Sequence, residues 1–386
     1  MTTKSLTKNR LRIGLVAPHI FLHRDILPEV IFSPGQLAID LAHGLQGLGA
    51  DVTLFSPGPV DVRVHNVTAD LSLFEQELAG RGDTYTDLLK KHPFTFVTLA
   101  RQVQAELIAR AYAMANAGDL DAVHIYTNEE DTALPFAQLC TKPVVFTHHD
   151  PFNFLVKYKN VFPKYAHLNW VSMSLAQRAG MPPGTNWVAN IYHGLAADRF
   201  TPPSQPRGDY IAYLGRIIEP KGLHLAIAAA KKAGVSLKIA GKHYAGQKDS
   251  YWRERIEPEL GGNIEYVGFI KDDTAKQDFL GNATALVVPS LFTEPFGMVT
   301  IEALACGTPV IGLASGATPE IITHGQNGLL VPKADEPAMI ANLALAMRDA
   351  GRLERAAARA SFEAHFTLER MCADHMALYQ ELASAS

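Results

Sequence analysis

The amino-acid sequence predicts an α/β protein of two doubly wound, Rossmann-like domains that face a ligand cleft. Two observations lead to this expectation. Short apolar runs that end in Gly, Pro or Ser alternate with longer helical stretches, as parallel strands and their crossover helices do. The alternation stops at Arg199–Asp209, "RFTPPSQPRGD", which is rich in proline and charge, and then begins again. We therefore expect domains at 1–198 and 210–360, joined by the linker 199–209.

The first domain opens with a βαβ unit. Its helix, Pro34–Leu48, carries apolar residues at helical spacing. Apolar runs predict five strands in this half: Ile13–Ala17, Val52–Phe55, Ala122–Tyr126, Val144–Thr147 and Trp170–Met173. At the other end of the chain, we expect the last helix, 361–386, to cross back to the first domain.

The second domain shows the same alternation of apolar runs and helical stretches after the linker. Six apolar runs predict its strands: Tyr210–Tyr213, Ser236–Ala240, Asn263–Val267, Ala285–Val288, Val310–Leu313 and Leu329–Val331. Doubly wound domains bind ligands beyond the carboxyl ends of their strands. The loops that follow the strands are therefore where functional side chains are expected.

Composition excludes several classes of function. The 386 residues carry a formal net charge of −4, so the chain has no general attraction for nucleic acid. Cys140, Cys306 and Cys372 are far apart and form no metal-binding or redox motif. The polar N-terminus lacks the apolar core of a secretory signal, and no apolar run approaches the length of a membrane span. We expect a cytoplasmic protein, or at most one that is peripheral to the inner face of a membrane.

One loop of the second domain has the residues to hold a diphosphate. After the strand Tyr210–Tyr213, Gly215 would let the chain turn sharply, and Arg216 and Lys221 supply two cations. A helix is predicted to begin near Gly222 and to stop before Gly234. Cations beside the unpaired N–H groups of a helix start suit a diphosphate. The alternative is a solvated loop with ordinary surface charges.

A second loop follows the strand Ala285–Val288, in "ALVVPSLFTEPFGMVTIE". Gly297 permits close approach of the backbone, and a helix is predicted from Met298 to Cys306 with Gly307 as its C-cap. Glu302 would accept hydrogen bonds from a ribose, and Glu294 would bind sugar hydroxyls or stabilise developing positive charge. The alternative makes Glu302 a helix-surface residue and Glu294 a loop charge.

Several strings, in order along the chain, resemble the motifs of one enzyme family. "PSLFTEPFGMVTIEALACGTPVIG" and the following "SGATPEIITHGQNGLLV" resemble the signature of glycosyltransferase family 4, the retaining nucleotide-sugar transferases with the GT-B fold. "GRIIEPKG" is similar to the family's G-R-x-x-x-x-K-G phosphate loop, and "FTHHD" to its T-x-H-D strand end. "ANIYHGLAADRF" is similar to the segment that leads into the second domain. The resemblance covers most of the chain.

Two positions depart from the family pattern. The first βα loop, Ser33-Pro34-Gly35-Gln36, has one glycine, Gly35, where the family has paired glycines. His193 stands before Gly194, where the family has Asn.

The resemblance implies a role for each candidate site residue. Arg216 and Lys221 would hold the donor diphosphate, Glu302 the ribose and Glu294 the transferred sugar, and His149 would contact the sugar near the reacting centre. The donor would also be bound by Gly35 and Gly215 and by the backbone of Phe296, Gly297, Met298 and Val299. The domain 1–198 would bind the acceptor and 210–360 the nucleotide sugar.

The resemblance also implies a reaction. A hexosyl group would pass from a nucleotide-diphospho-sugar, UDP-linked, to a hydroxyl acceptor with retention of configuration. The departing phosphate would act as base, and neither a metal nor another cofactor would be required. The alternatives are an epimerase or a sugar phosphorylase on the same fold, or a nucleotide-sugar-binding protein without catalysis.

The prediction of an acceptor-binding surface depends on one stretch of the first domain. In "FLVKYKNVFPKYAH", 154–167, Lys157, Lys159 and Lys164 alternate with aromatic residues, as in a surface that binds lipid headgroups or stacks on sugars. With His148, Lys157 and Lys159 are the acceptor candidates. The alternative is an exposed helix and loop with ordinary charges. Saccharide, lipid-linked and small-molecule acceptors all fit this stretch.

Overall fold

The computed structural model describes residues 10–23, 32–127, 130–243 and 249–385. The chain divides into two compact units. The first comprises Met1–Met173, Arg178–Ile191 and Met371–Ser386, and the second comprises Ser174–Gln177 and Tyr192–Arg370. The domain bounds drawn from the sequence differ from this division by 7 to 18 residues, because the second unit already begins at Tyr192 and includes the predicted linker; they stay a prediction.

The first unit contains a parallel sheet of seven strands in the order β3-β2-β1-β4-β5-β6-β7. The strands are β1 Arg12–Val16, β2 Asp51–Ser56, β3 His65–Thr68, β4 Ala122–Ile125, β5 Val144–Thr147, β6 Asn169–Ser172 and β7 Trp187–Asn190. The helices that precede or follow them are α1 Ser33–Gly47, α2 Ser72–Arg81, α3 Tyr85–Lys91, α4 Pro93–Ala117, α5 Glu130–Ala133 and α6 Val156–Val161.

The second unit contains a parallel sheet of six strands in the order β10-β9-β8-β11-β12-β13. The strands are β8 Ile211–Leu214, β9 Leu237–Ala240, β10 Ile264–Gly268, β11 Ala285–Val288, β12 Val310–Leu313 and β13 Gly328–Val331. The helices are α7 Leu223–Ala233, α8 Asp273–Gly281, α9 Met298–Ala305, α10 Thr318–Ile321, α11 Glu336–Asp349 and α12 Arg355–His365, followed by α13 Leu368–Ser384, which belongs to the first unit from Met371 onward.

The predicted fold class is confirmed. Each sheet is parallel, and its strand order reverses next to its first strand, as in doubly wound folds. The central strands are buried apolar runs because helices flank parallel sheets on both faces; all four residues of β5 and of β12 are buried. Two strands were not predicted, β3 and β7. Both are edge strands whose residues are mostly polar or half-exposed, so they lack that apolar signal.

Candidate active site

The candidate site of the second unit lies where its strand order reverses. The first strand, β8, pairs with β9 on one side and with β11 on the other. The chain proceeds outward from β8 through β9 to β10, and from β11 through β12 to β13. Doubly wound folds bind their ligands beyond the carboxyl ends of the strands, next to such a reversal. The two loops predicted to bind a donor, after β8 and after β11, are the loops at this point.

The backbones of these two loops pack directly against each other. The N–H groups of Leu291 and Phe292 donate to the carbonyl oxygen of Pro220, over 2.9 and 3.0 Å. Gly222 has φ of +70°, and a Cβ on it would lie 2.0 Å from the carbonyl oxygen of Pro289. Only glycine combines that backbone angle with so close an approach. The close packing of the two loops therefore depends on Gly222.

Lys221 and Glu294, both predicted site residues, are brought together by this packing. The ammonium of Lys221 donates to Oε1 of Glu294, and the hydroxyl of Ser290 donates to the same oxygen over 2.9 Å. Glu294 is 9% exposed. The cation and the hydroxyl offset part of the cost of placing this carboxylate out of water. Ser290 was not among the candidates, although it lies one helical turn before Glu294 in the sequence.

A third loop, after β12, fixes the backbone of Glu294. The N–H of Ala317 donates to the carbonyl oxygen of Glu294 over 3.0 Å. Gly316 has φ of +56°, and a Cβ there would lie 2.4 Å from the same oxygen. The string "SGATPE" was noticed for its family resemblance, but this contact with Glu294 was not predicted.

Arg216 and Gly215 follow β8 directly. The Arg216 side chain is exposed and has no hydrogen-bond or ion-pair partner within the described ranges. Its carbonyl accepts a hydrogen bond from the Tyr213 hydroxyl over 3.0 Å. The chain bends at Gly215, as predicted, but the bend does not require glycine: the φ of Gly215 is not positive, and the nearest atom to a Cβ there lies 3.8 Å away. The glycine that the turn requires is Gly222.

The start of α7 differs from the expectation of free N–H groups. The helix does begin after Gly222 and ends before Gly234, as predicted. However, the N–H of His224 donates to the Tyr251 hydroxyl over 3.1 Å, and Nδ1 of His224 lies 2.8 Å from the same oxygen. Burial lowers the pKa of His224. Tyr251 thus occupies part of the helix start that the sequence predicted for a phosphate.

The start of α9 offers donors more openly. Gly297 precedes the helix with φ of +99°, and the N–H groups of Met298 and Val299 have no hydrogen-bond partner in the part of the chain that the structure describes. The first N–H groups of a helix lack partners within it and carry the positive end of its dipole. The Phe296 side chain is 2% exposed and packs on the His193 ring, 5.0 Å between centroids. The predicted ligand contact of the Phe296 backbone stays a prediction.

Glu302 lies on α9 and forms an ion pair with α8. Lys276 Nζ lies 2.9 Å from Oε1 of Glu302, and the Glu302 side chain is 12% exposed. This Lys276 partner was missed because it is far away in sequence and shares no motif with Glu302. The predicted ribose contact of Glu302 stays a prediction, with Lys276 as a second polar group beside it.

The two candidate histidines of the first unit follow β5 and contact different partners. Nε2 of His149 lies 3.1 Å from the carbonyl oxygen of Tyr126, and burial lowers the pKa of His149 to about 3. His148 is fully buried: its Nδ1 lies 3.0 Å from Glu130, and its ring packs on Phe162. Burial likewise lowers the pKa of His148 to about 3. This complete burial argues against the predicted acceptor contact of His148 and favours a structural role.

The remaining candidates also lie in the first unit. Gly35 is in the first turn of α1, where its N–H donates to Phe32 and its Cα packs under the Leu22 side chain, so neither faces a ligand here. Lys157 Nζ lies 3.2 Å from Asp131 Oδ1. Lys159 is exposed, with no ion-pair partner in the described ranges.

Two searches of the described residues gave nothing. Within 10–23, 32–127, 130–243 and 249–385, no three or more His, Cys, Asp or Glu residues are grouped so that they could hold a metal ion. In the same ranges, no helix combines the length and the apolar character that crossing a membrane requires.

Known proteins match this chain along most of its length. The family model described as glycosyl transferases group 1 matches residues 196–361, which include the whole second sheet. A phosphatidyl-myo-inositol mannosyltransferase of Mycobacterium leprae is 24% identical over 97% of this chain and 98% of its own. A glycogen synthase of Mycobacterium tuberculosis is 27% identical over 83% of each chain.

Solved structures agree on the fold. Sucrose-phosphate synthase from Thermosynechococcus elongatus superposes with a TM-score of 0.71 at 21% identity, over 98% of this chain and all of the other. Together with the two sheets and their reversing strand order, this likeness identifies the GT-B fold. Residues 196–361 of the chain therefore match the model of the group 1 glycosyl transferases, and this match supports glycosyl transfer as the activity.

Proposed function

We propose that the protein transfers a hexosyl group from a nucleotide-diphospho-sugar, UDP-linked, to a hydroxyl acceptor, with retention and without a metal. One observation carries the proposal. At the strand-order reversal of the second sheet, the loop after β8 presents Arg216 and Lys221 beside Glu294 and the start of α9. Two cations, helix N–H groups and a carboxylate are the groups that a diphosphate-linked sugar needs.

The cations would act on the leaving group. As the bond between the anomeric carbon and the diphosphate oxygen breaks, negative charge grows on the diphosphate, and fixed positive groups stabilise it without reorganising. An ammonium has three donors, so Lys221 can bind a phosphate oxygen while it keeps its bond to Glu294. The exposed guanidinium of Arg216 and the N–H groups of Met298 and Val299 would complete the set. These groups take the part that a metal ion plays elsewhere, which is the reason for proposing a metal-free reaction.

Retention follows if the acceptor attacks from the face that the diphosphate leaves. The acceptor oxygen forms its bond to the anomeric carbon, the bond to the diphosphate breaks, and the acceptor proton passes to the departing phosphate oxygen. The products are a glycoside and a nucleoside diphosphate, so no protein nucleophile is required. Glu294 would bind the transferred sugar and Glu302, with Lys276, the ribose. The sugar contact of His149 stays a prediction.

Relatives support the class of acceptor and of transferred group. The Mycobacterium leprae protein is named for mannosyl transfer and phosphatidyl-myo-inositol, and the Mycobacterium tuberculosis protein for the synthesis of glycogen. Both names fit a hexosyl group and a hydroxyl of a saccharide or lipid-linked acceptor. This supports the proposal at the level of class and names neither the sugar nor the acceptor of this protein.

The test of the donor is a thermal-shift panel of UDP-, GDP- and ADP-linked hexoses. A ligand that binds the folded chain stabilises it, and this stabilisation grows with the logarithm of the ligand concentration divided by the dissociation constant. The melting temperature rises accordingly. We expect a UDP-sugar to give the largest shift, and Arg216→Ala to remove it. A larger shift with a GDP- or ADP-sugar would replace the UDP assignment, and no shift with any of them would overturn the proposed donor class.

Two further measurements test the mechanism. The anomeric configuration of donor and product, compared by NMR, should be the same; inversion would contradict retention. Turnover should survive a chelator; loss of turnover that added magnesium or manganese restores would contradict the metal-free reaction.

A further inference from the structure

A cleft of about 510 Å³ opens in the second unit. Its walls are α10, the loop from α10 to β13, α12 and the segment that contains Tyr192. Small-molecule sites are concave, measure roughly 300–1,000 Å³, and combine apolar walls with a few polar groups. The cleft has this size, and none of the candidate donor or acceptor residues lines it within the described ranges. It is therefore a second place in the molecule where a ligand can bind.

Polar side chains in the cleft can exchange hydrogen bonds with hydroxyl groups. Among them are Tyr192, Glu320, Thr323, Gln326, Ser361 and His365. The Thr323 hydroxyl and the Gln326 amide have no hydrogen-bond partner among the residues that the structure describes. The Ser361 hydroxyl accepts from Asn327 Nδ2 over 2.7 Å and keeps its own proton to donate. No lysine or arginine lines the cleft in the described part of the chain, so the lining favours an uncharged polyhydroxyl ligand over a phosphate.

Glu320 provides the carboxylate of the cleft. Its Oε2 accepts from the Leu175 N–H over 2.8 Å and from the Tyr192 hydroxyl over 3.0 Å, and its Oε1 accepts from the Ala176 N–H over 2.7 Å. A carboxylate has roughly four lone-pair sites, two on each oxygen. Three of the four are thus used, and Oε1 can accept one more hydrogen bond. A ligand hydroxyl in the cleft is a suitable donor for it.

The helix that carries Glu320 also holds Glu294 of the candidate active site. α10 spans Thr318–Ile321, and the N–H of Ala317, directly before it, donates to the carbonyl oxygen of Glu294 over 3.0 Å. The N–H of Glu320 donates in turn to the carbonyl oxygen of Ala317 over 2.9 Å. Two hydrogen bonds through a single residue therefore join the carboxylate of the cleft to the backbone of Glu294.

A group of three aromatic rings forms a second connection. Tyr192 and Phe366 line the cleft, and their ring centroids lie 6.1 and 6.2 Å from that of Phe296. Phe296 is 2% exposed and is the second residue after Glu294. Closely packed side chains transmit a displacement because the interior leaves little empty space. A ligand that fixes Tyr192 would therefore also restrict Phe296.

We propose that the cleft is a regulatory site for an uncharged saccharide, and that an occupied cleft tightens the backbone around Glu294. The sugar hydroxyls would bond to Glu320 Oε1, to the Gln326 amide and to the Ser361 hydroxyl, and a C–H face of the sugar would pack on Tyr192. The binding does not rest on the proposed function, because it needs neither donor nor turnover. Only its consequence for glycosyl transfer rests on that function.

The test of binding is saturation-transfer NMR of glucose, mannose, maltose and sucrose with the full chain, without donor. We expect at least one of these sugars to bind with a dissociation constant of about 1–10 mM. Gln326→Ala/Ser361→Ala should weaken this binding about tenfold, because two hydrogen bonds to the sugar are lost.

Ala360→Trp gives an independent test, because Ala360 lines the cleft and an indole there would fill it. This variant should lose the binding completely. Ala356→Trp is the matched control: it is the same substitution one turn earlier on α12, at an exposed position outside the lining. It should bind the sugar as the wild type does. Thermal unfolding of both variants checks that they remain folded.

Hydrogen exchange tests the connection to Glu294. With the sugar at saturation, peptides from 290–297 should exchange about threefold or more slowly, although these residues do not line the cleft. The same sugar concentration should leave these peptides unchanged in Ala360→Trp and protect them in Ala356→Trp. Peptides from β9 serve as the internal reference and should exchange at the same rate with and without sugar.

Binding and regulation can each be overturned separately. Binding of none of the four sugars, binding that survives in Ala360→Trp, or equal loss in Ala356→Trp would overturn the saccharide site. Binding without slower exchange in 290–297 would overturn the regulatory role. Neither measurement uses a donor, so both results are independent of the thermal-shift panel that tests the proposed function.

Discussion

The carboxyl edges of the two sheets differ in the charge that they hold. The second sheet gathers ion pairs and cations there: Lys221 with Glu294, Lys276 with Glu302, and the exposed Arg216. The first sheet has His148 and His149, which burial keeps neutral well below pH 7. One topology therefore serves two chemistries. Charged groups suit a nucleoside diphosphate, whereas the neutral ring of His149 suits an uncharged hydroxyl ligand.

The largest effect on turnover should come from removing the cations at the carboxyl edge of the second sheet. Arg216→Ala and Lys221→Ala should each lower turnover by about a hundredfold or more, since both would act on charge that develops at the leaving phosphate. The two variants should differ in stability. Arg216 has no ion-pair partner among the described residues, so its loss should change the free energy of unfolding by less than about 0.5 kcal/mol. Loss of Lys221 leaves Glu294 buried without its cation and should destabilise the fold.

Steady-state kinetics and thermal unfolding of the same preparations make this comparison. Arg352→Ala is the matched control, because its side chain is 83% exposed and lies outside the candidate site. Normal turnover in both Arg216→Ala and Lys221→Ala would exclude them from the reaction.

The contrast in histidines predicts that acid loosens the first unit before the second. Burial lowers the pKa of His148 and His149 to about 3, of His19 to about 4, and of His124 well below its ordinary value of 6.5. As the pH falls below 6.5, the unfolded chain binds protons at these rings and the folded chain does not. Their contribution is complete above pH 6.5 and is lost between pH 6.5 and about 3, by at most about 1.4 kcal/mol per histidine and pH unit.

Hydrogen exchange of the full chain at pH 7 and pH 5, corrected for intrinsic rates, measures this difference. Peptides from β4 and β5 should lose protection before those from β8 and β11, because burial lowers the pKa of His19, His124, His148 and His149 in the first unit and that of His224 in the second. Earlier loss of protection in the second sheet would contradict the comparison.

The two glutamates at the carboxyl edge of the second sheet should bind different parts of the donor, Glu302 the nucleotide and Glu294 the sugar. Glu302→Gln should weaken binding of donor and free nucleoside diphosphate by about 1.5–3 kcal/mol, because ribose contacts exist in both ligands. Glu294→Gln should leave diphosphate affinity nearly unchanged and lower turnover, because the sugar is absent from that ligand. Calorimetric titration with nucleoside diphosphate and steady-state rates measure the two effects. Equal loss of diphosphate affinity in both variants would contradict the assignment of Glu302 to the ribose and of Glu294 to the transferred sugar.

The sequence predicted best what depends on local pattern. The bounds of β5, β11 and β12 agree to the residue, because each is a largely buried, mainly apolar run with a proline at one end. Contacts between distant segments carry no such pattern. The pairing of Lys276 with Glu302, and the Tyr251 hydroxyl at the start of α7, join residues that no motif links. The loop motifs thus sufficed to predict the residues at the carboxyl edge of the second sheet. The partners of these residues could be identified only from the folded structure.

The roles of two glycines also depend on contacts between distant segments that the sequence does not show. Substituting them gives the prediction with the smallest expected effect. The sequence assigned the turn after β8 to Gly215, but the left-handed residue is Gly222, whose Cβ would meet Pro289 of a distant loop. Gly222→Ala should therefore cost about 1–2 kcal/mol for its backbone angle, with additional strain where the loops after β8 and β11 touch. Gly215→Ala is the matched control and should be nearly neutral in stability, because nothing lies within 3.8 Å of the new methyl group. Denaturant unfolding of both variants measures the difference. Equal destabilisation of the two would mean that the close packing of these loops does not depend on Gly222, and the positions of Lys221 and Glu294 would then need another cause.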